Sequence, residues 1–153
     1  MPDVEVRGAD QLTRLARTLR QVGDKDLKKE LRRGINEAVQ PVKASIRARA
    51  LSSMPRRGGL NQVMARSRIT VSQRGSGANP GVRLVTKSHN PRIDKGIVRH
   101  PVRATGPRED WTWVDQPVKP GWFTHPAAAS APITRLKLLA AMRRIERQLE
   151  GRP

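Results

Sequence analysis

The side chains able to act as acids, bases, nucleophiles or metal ligands are few and scattered. The histidines are His89, His100 and His125, and none has the i, i+4 spacing that would set two imidazoles on one helical face to hold zinc. His100 and His125 each precede a proline, which favours extended backbone and gives both a simple structural place. Glu109, Asp110 and Asp115 form a short acidic run beside Trp111 and Trp113, with Asp94 upstream. A metal-dependent nuclease needs several carboxylates converging on its ions, and an acid/base hydrolase needs two at a set separation. This spacing specifies neither, and solvated loop acids paired with nearby arginines are the simpler reading. Gly75-Ser76-Gly77 has the small residues of a phosphate cradle, but no Lys-Ser/Thr pair or helix follows, so a turn is expected. Arg56-Arg57 ahead of Gly58-Gly59 could grip a phosphate backbone, although a surface loop is the commoner meaning of such a segment. The expectation is a chain with no catalytic residue, no metal site and no cofactor: a binding or assembly component and not an enzyme.

Charge points the same way. The 153 residues carry 31 Lys and Arg against 13 Asp and Glu, a formal net charge of +18. Self-repulsion of that size opposes compaction unless a polyanion screens it: nucleic acid, an anionic membrane or acidic protein neighbours. Most of the cations are arginine, which suits bidentate contact with phosphate or carboxylate. No C2H2 pattern, aromatic RNP pair, Gly-X-X-Gly clamp or helix-turn-helix is visible, so base reading is not expected. A sequence-independent DNA-binding accessory protein is the reading that charge alone suggests. Cysteine is absent, which removes disulfides and thiolate metal sites. No apolar run approaches the roughly 18 residues of a membrane span and the first residues lack a signal-peptide pattern, so a soluble, unexported chain without a membrane partner is expected.

The elements that must position these groups follow from periodicity. Val4 and Val6 alternate with polar residues as in a short edge strand closed by Gly8. Asp10 can cap a helix carrying Leu12, Leu15, Ala16, Leu19 and Val22 on one face, ended by Gly23. From Asp24 or Asp26, a stripe of Leu27, Leu31, Ile35, Ala38, Val39, Val42 and Ile46 continues towards Ala50 and Leu51. It predicts one long helix, kinked at Pro41, of roughly 40 Å. Residues 52–62 read as a mobile Arg/Gly loop. Strands over 67–72 and 81–86 form a hairpin whose connector, 73–80, is polar and turn-rich. Further strands are expected over 96–99 and 111–118. Beyond Pro126, a final helix bears Ile133, Leu136, Leu139, Ala140, Ile145 and Leu149 and stops near Gly151. The fold class is α+β, a single domain over residues 1–153 with a mostly antiparallel sheet, and with loops 52–62 and 73–80 as arms ordered on assembly.

One constellation is more specific. Gly96-Ile97-Val98-Arg99-His100-Pro101-Val102, followed by Trp113-Val114-Asp115-Gln116-Pro117-Val118-Lys119-Pro120-Gly121-Trp122-Phe123, resembles a pattern in the neck proteins of long non-contractile-tailed phages. That family of tail-completion or head–tail joining proteins includes minor tail and connector subunits. The chain departs from the pattern at Arg103-Ala104, where an aromatic and then glycine are usual. Gly96, His100, Pro101, Trp113, Gln116, Pro120, Gly121, Trp122 and Phe123 carry the resemblance. His-Pro and Pro-Gly fix extended and turned backbone, and Trp113, Trp122 and Phe123 are expected to anchor a core poor in aromatics. The resemblance implies a virion subunit, assembled in the bacterial host cytoplasm. It would form a homo-oligomeric ring, expected to be a hexamer, between head-completion proteins and the tail-terminator or tail-tube proteins. Genomic DNA would pass through its channel, and Arg56, Arg57, Arg66, Arg68 and Arg74 are the candidate assembly or polyanion contacts.

Overall fold

The computed structural model describes residues 3–6, 14, 15, 17, 18, 25–74, 81–86, 92–103 and 106–151. Its class is α+β, as the sequence predicts. The strands are β1 (Asp3–Val6), β2 (Ile69–Arg74), β3 (Gly81–Thr86), β4 (Ile97–Arg103) and β5 (Thr112–Pro117). The helices are α1 (Lys25–Ser53), α2 (Leu60–Ala65) and α3 (Thr124–Glu150), and single 3-10 turns lie at Arg57–Gly59 and Arg108–Asp110.

α1 forms as its stripe requires. Leu27, Leu31, Ile35, Ala38, Val39, Val42, Ile46 and Ala50 are all buried, while Leu51, expected to continue the stripe, is exposed. The helix runs through Pro41 without a break. Pro41 has no N–H for the carbonyl of Glu37, but both residues lie on the solvent side, where water can take up the unpaired oxygen. α1 packs against α3 at a close crossing: a Cβ built on Gly34 would stand 2.7 Å from the Cβ of Ala141.

The expected face of α3 is right in part: Ile145 is buried and Leu139 and Leu149 pack against the core, while the rest of the stripe is corrected. The buried residues are Ala127, Thr134, Leu138, Ala141, Met142 and Ile145. Ile133 and Leu136, placed inward by the sequence reading, are 58% and 68% exposed. A backbone approach as tight as that at Gly34 requires a small side chain at the crossing point itself, which Ala141 supplies.

Strand β3 lies between β1 and β2 in a three-stranded antiparallel sheet, so β1 is an edge strand, as expected. Val82 and Leu84 alternate inward along β3, and Ile69 faces the same side from β2. These residues, the inner faces of α1 and α3, Met64 of α2, Trp122 and Phe123 form one continuous apolar cluster. Strands β4 and β5 form a separate two-stranded antiparallel ribbon, where one mostly antiparallel sheet was expected.

Two boundaries differ from the expectation. Residues 52–62, read as a mobile loop, contain the end of α1, a 3-10 turn and the start of α2, with Met54 and Asn61 buried. Gly58 and Gly59 hold positive φ angles of 81° and 73° and reverse the chain directly into a helix too short to show a period. Ser67, placed in a strand, instead closes α2: its hydroxyl donates to the carbonyl of Val63 at 3.1 Å. Of the helix expected over 10–22, residues 14, 15, 17 and 18 are helical and Leu15 is buried; its other positions lie outside the described residues, as do 75–80 of the 73–80 connector and His89.

Candidate functional site

Residues 92–96 and 118–124 are tied into one knot. The backbone N–H of Val118 donates to the carbonyl of Gly96 at 2.9 Å, and that of Gly121 donates to the carbonyl of Asp94 at 2.8 Å. Gly96 has a φ of 96°, and a Cβ there would meet the Val118 carbonyl oxygen at 3.0 Å and the Pro120 ring at 3.4 Å. Gly121, at φ 71°, lies under the imidazole of His125, leaving no room for a side chain. The Asp94 carboxylate accepts from the backbone N–H of Phe123 at 2.9 Å and of Thr124 at 3.3 Å, and from the Thr124 hydroxyl at 2.8 Å. It caps α3, whose N-terminus has no side-chain cap from its own preceding residue. Trp122 and Phe123 are fully buried, edge to face at 5.6 Å. Gly96, Pro120, Gly121, Trp122 and Phe123, singled out in the sequence, therefore do meet. Asp94, considered there as a nuclease acid, has both oxygens occupied by backbone and hydroxyl donors.

The ribbon carries the other half of the pattern. Pairing sets Arg99 opposite Asp115, His100 opposite Val114 and Pro101 opposite Trp113, with an irregularity between Pro101 and Arg103. Directly opposed residues share a face. One face thus bears Arg99, Pro101, Trp113 and Asp115; the other bears Val98, His100, Val114 and Gln116. Val98, near the base, is buried; Val114 and Gln116 are exposed. Proline at position 101 is tolerated because a two-stranded ribbon leaves both strands with an unpaired edge.

Trp113 was expected in the core and is not there. It is half-buried on the ribbon, where tilted Trp111 lies 5.8 Å from it. The guanidinium of Arg99 stands 5.8 Å from its ring centroid and that of Arg108 stands 5.7 Å away, a cation–π distance for both. The indole N–H of Trp111 donates to the carbonyl of Gly106 at 3.1 Å, which ties the 106–111 segment to the aromatic pair. Arg99, Arg108, Glu109 and Trp113 line an open cleft of about 480 Å³. Asp115 pairs with Arg92 at 2.9 Å, and so is engaged away from Arg99.

The other candidate arginines are placed apart from this cleft in the chain. Arg56 and Arg57 are exposed at the turn between α1 and α2, Arg66 and Arg68 are exposed between α2 and β2, and Arg74 ends β2. Sequence reasoning missed Arg99 and Arg108 because they reach Trp113 from separate segments, Arg99 through the β4–β5 pairing and Arg108 from the 3-10 turn before β5; strand alternation through 99–101 and 113–115 was the available signal for Arg99. Among the described residues no group of three or more His, Asp or Glu is placed to hold a metal, and no helix is long and apolar enough to cross a membrane. Comparison with family models, curated proteins and solved structures finds no match for this chain.

Proposed function

We propose that the chain is a virion structural subunit that assembles as a closed ring in the head–tail connector of a tailed phage, between head-completion proteins and the tail-terminator or tail-tube proteins. The observation that carries this reading is the β4–β5 ribbon. A two-stranded ribbon is marginal in water by itself, yet β5 is exposed apart from Trp113, and Val102 and Val114 are 65% and 41% exposed. A neighbouring copy seated on the ribbon supplies the missing layer. In a ring, contacts are head-to-tail, so one surface of each copy meets a different surface of the next. Ile133 and Leu136 on α3, separated by three positions and therefore on one helical face, offer an apolar patch for that second surface.

The sequence pattern supports the same reading, since its Gly96 and Pro120-Gly121 elements serve to seat α3 and hold the base of the ribbon. Nothing in this role requires catalysis, and the chain is expected to leave DNA uncut when incubated with magnesium or manganese. Mass spectrometry of purified particles, joined to electron microscopy of their necks, tests the role. The chain is expected in particles at a fixed ring stoichiometry; its absence from particles removes the proposal.

A further inference from the structure

The structure assigns a second role to the ribbon, independent of ring formation: the Arg99–Trp113–Arg108 cleft is a sequence-independent binding site for the phosphodiester backbone of duplex DNA. Each arginine has an acidic residue at hand and does not use it. Asp115 is directly across the ladder from Arg99, but its carboxylate is taken by Arg92. Arg108 adjoins Glu109 and Asp110 in a 3-10 turn, but its guanidinium lies over Trp113. No carboxylate partner for Arg99 or Arg108 is present among the described residues.

A guanidinium held near an indole at a cation–π distance keeps its forked N–H groups available for an acceptor, and both side chains are exposed to an arriving anion. Two guanidinia within 6 Å of one ring centroid stand no more than about 12 Å apart, a span that neighbouring phosphates of one strand can bridge. The cleft is open, so it admits a rod crossing it and does not enclose a small anion. The net charge of +18 adds a long-range attraction that suits a continuous polyanion better than a short acidic peptide. Glu109 on the rim opposes binding, which gives the site a sign that can be tested.

The test uses the full chain and a fluorescently labelled duplex of arbitrary sequence, with binding followed by anisotropy over a range of salt. Arg99→Ala/Arg108→Ala is compared with Arg143→Ala/Arg144→Ala, which removes equal charge from the exposed side of α3. The ribbon variant is expected to weaken binding at least about tenfold and to reduce the slope of log K against log salt by about 2, one for each phosphate no longer neutralised. The α3 variant is expected to change both far less, and Glu109→Gln to tighten binding. Arg99→Lys/Arg108→Lys keeps the charge without the forked donors and is expected to fall between wild type and the alanine variant. Equal losses for the ribbon and α3 pairs would overturn the site in favour of diffuse charge, as would an unchanged salt slope. Displacement of the duplex by poly-glutamate as readily as by unlabelled duplex would assign the cleft to an acidic protein segment instead.

Discussion

The carboxylate of Asp94 holds the start of α3 from 30 residues upstream, accepting the Thr124 hydroxyl at 2.8 Å and the backbone N–H of Phe123 at 2.9 Å. A negative charge at that end also suits the helix dipole. Asp94→Ala is therefore expected to cost about 1–3 kcal/mol of stability in urea unfolding, since it leaves two helix N–H groups unpaired. Asp94→Asn keeps an acceptor but not the charge, and should cost less. A double-mutant cycle with Thr124→Ala checks the assignment: a coupling energy near zero would mean that the two side chains do not act on each other.

Gly34 sits where α1 and α3 approach most closely. Alanine would ordinarily stabilise a helix interior by about 1 kcal/mol over glycine, but here its Cβ would lie 2.7 Å from that of Ala141, and the atom in the way is fixed to a helix. Overpacking should prevail, so Gly34→Ala is expected to lower stability by a net of about 1–2 kcal/mol. Ala141→Gly in the same chain should recover part of the loss, as read by thermal or urea unfolding.

How these helices meet was only partly legible beforehand. α1 showed itself because Leu, Ile and Val fill its stripe. The buried face of α3 is built from Ala127, Thr134, Ala141 and Met142 around Leu138 and Ile145, and small or polar members contribute little to an apolar period. Of the larger residues in the predicted stripe, Ile145, Leu139 and Leu149 do meet the core, but Ile133 and Leu136 lie off it. The role of Asp94 could not be seen at all, because its partners are brought to it by the fold of residues 96–118. Trp122 and Phe123 were rightly expected in the core. Trp113 was not separable from them by residue type, and only its strand register, opposite Pro101 and beside Arg99, shows that it belongs to the surface of the ribbon.

Ile133 and Leu136 test the ring contact. Ile133→Asp/Leu136→Glu adds charge to side chains that are already largely exposed, so the stability of the single copy should change by no more than about 0.5 kcal/mol per site. Assembly should be lost, because burying those charges in an interface would cost far more. Sedimentation of the variant reads the difference. A variant that unfolds instead would place both residues inside the core.

Lys43 supplies a pH dependence. Burial, and then the charge of Arg47 one turn later, hold its ammonium below the ordinary lysine value of 10.5. Between the lowered pKa and 10.5 the unfolded chain binds more protons at this site than the folded one, so the contribution to stability rises with pH across that window. Below it the charged lysine opposes folding. Lys43→Met is expected to be more stable than wild type at pH 7, by less than about 1 kcal/mol given the solvent that still reaches the site. The advantage should shrink as pH rises towards 10.5. A difference that stays constant over that range would mean the gain comes from packing and not from the charge.

The proposed role stands on closure of this chain into a ring. Cryo-electron microscopy of the purified full-length protein, over a range of concentrations, addresses it without an intermediary. Class averages are expected to show a single rotational order, six-fold by the resemblance of the Gly96 to Phe123 pattern, with the β4–β5 ribbon of each copy seated against its neighbour. Single copies at every concentration, or oligomers in which the ribbon stands free, would contradict it.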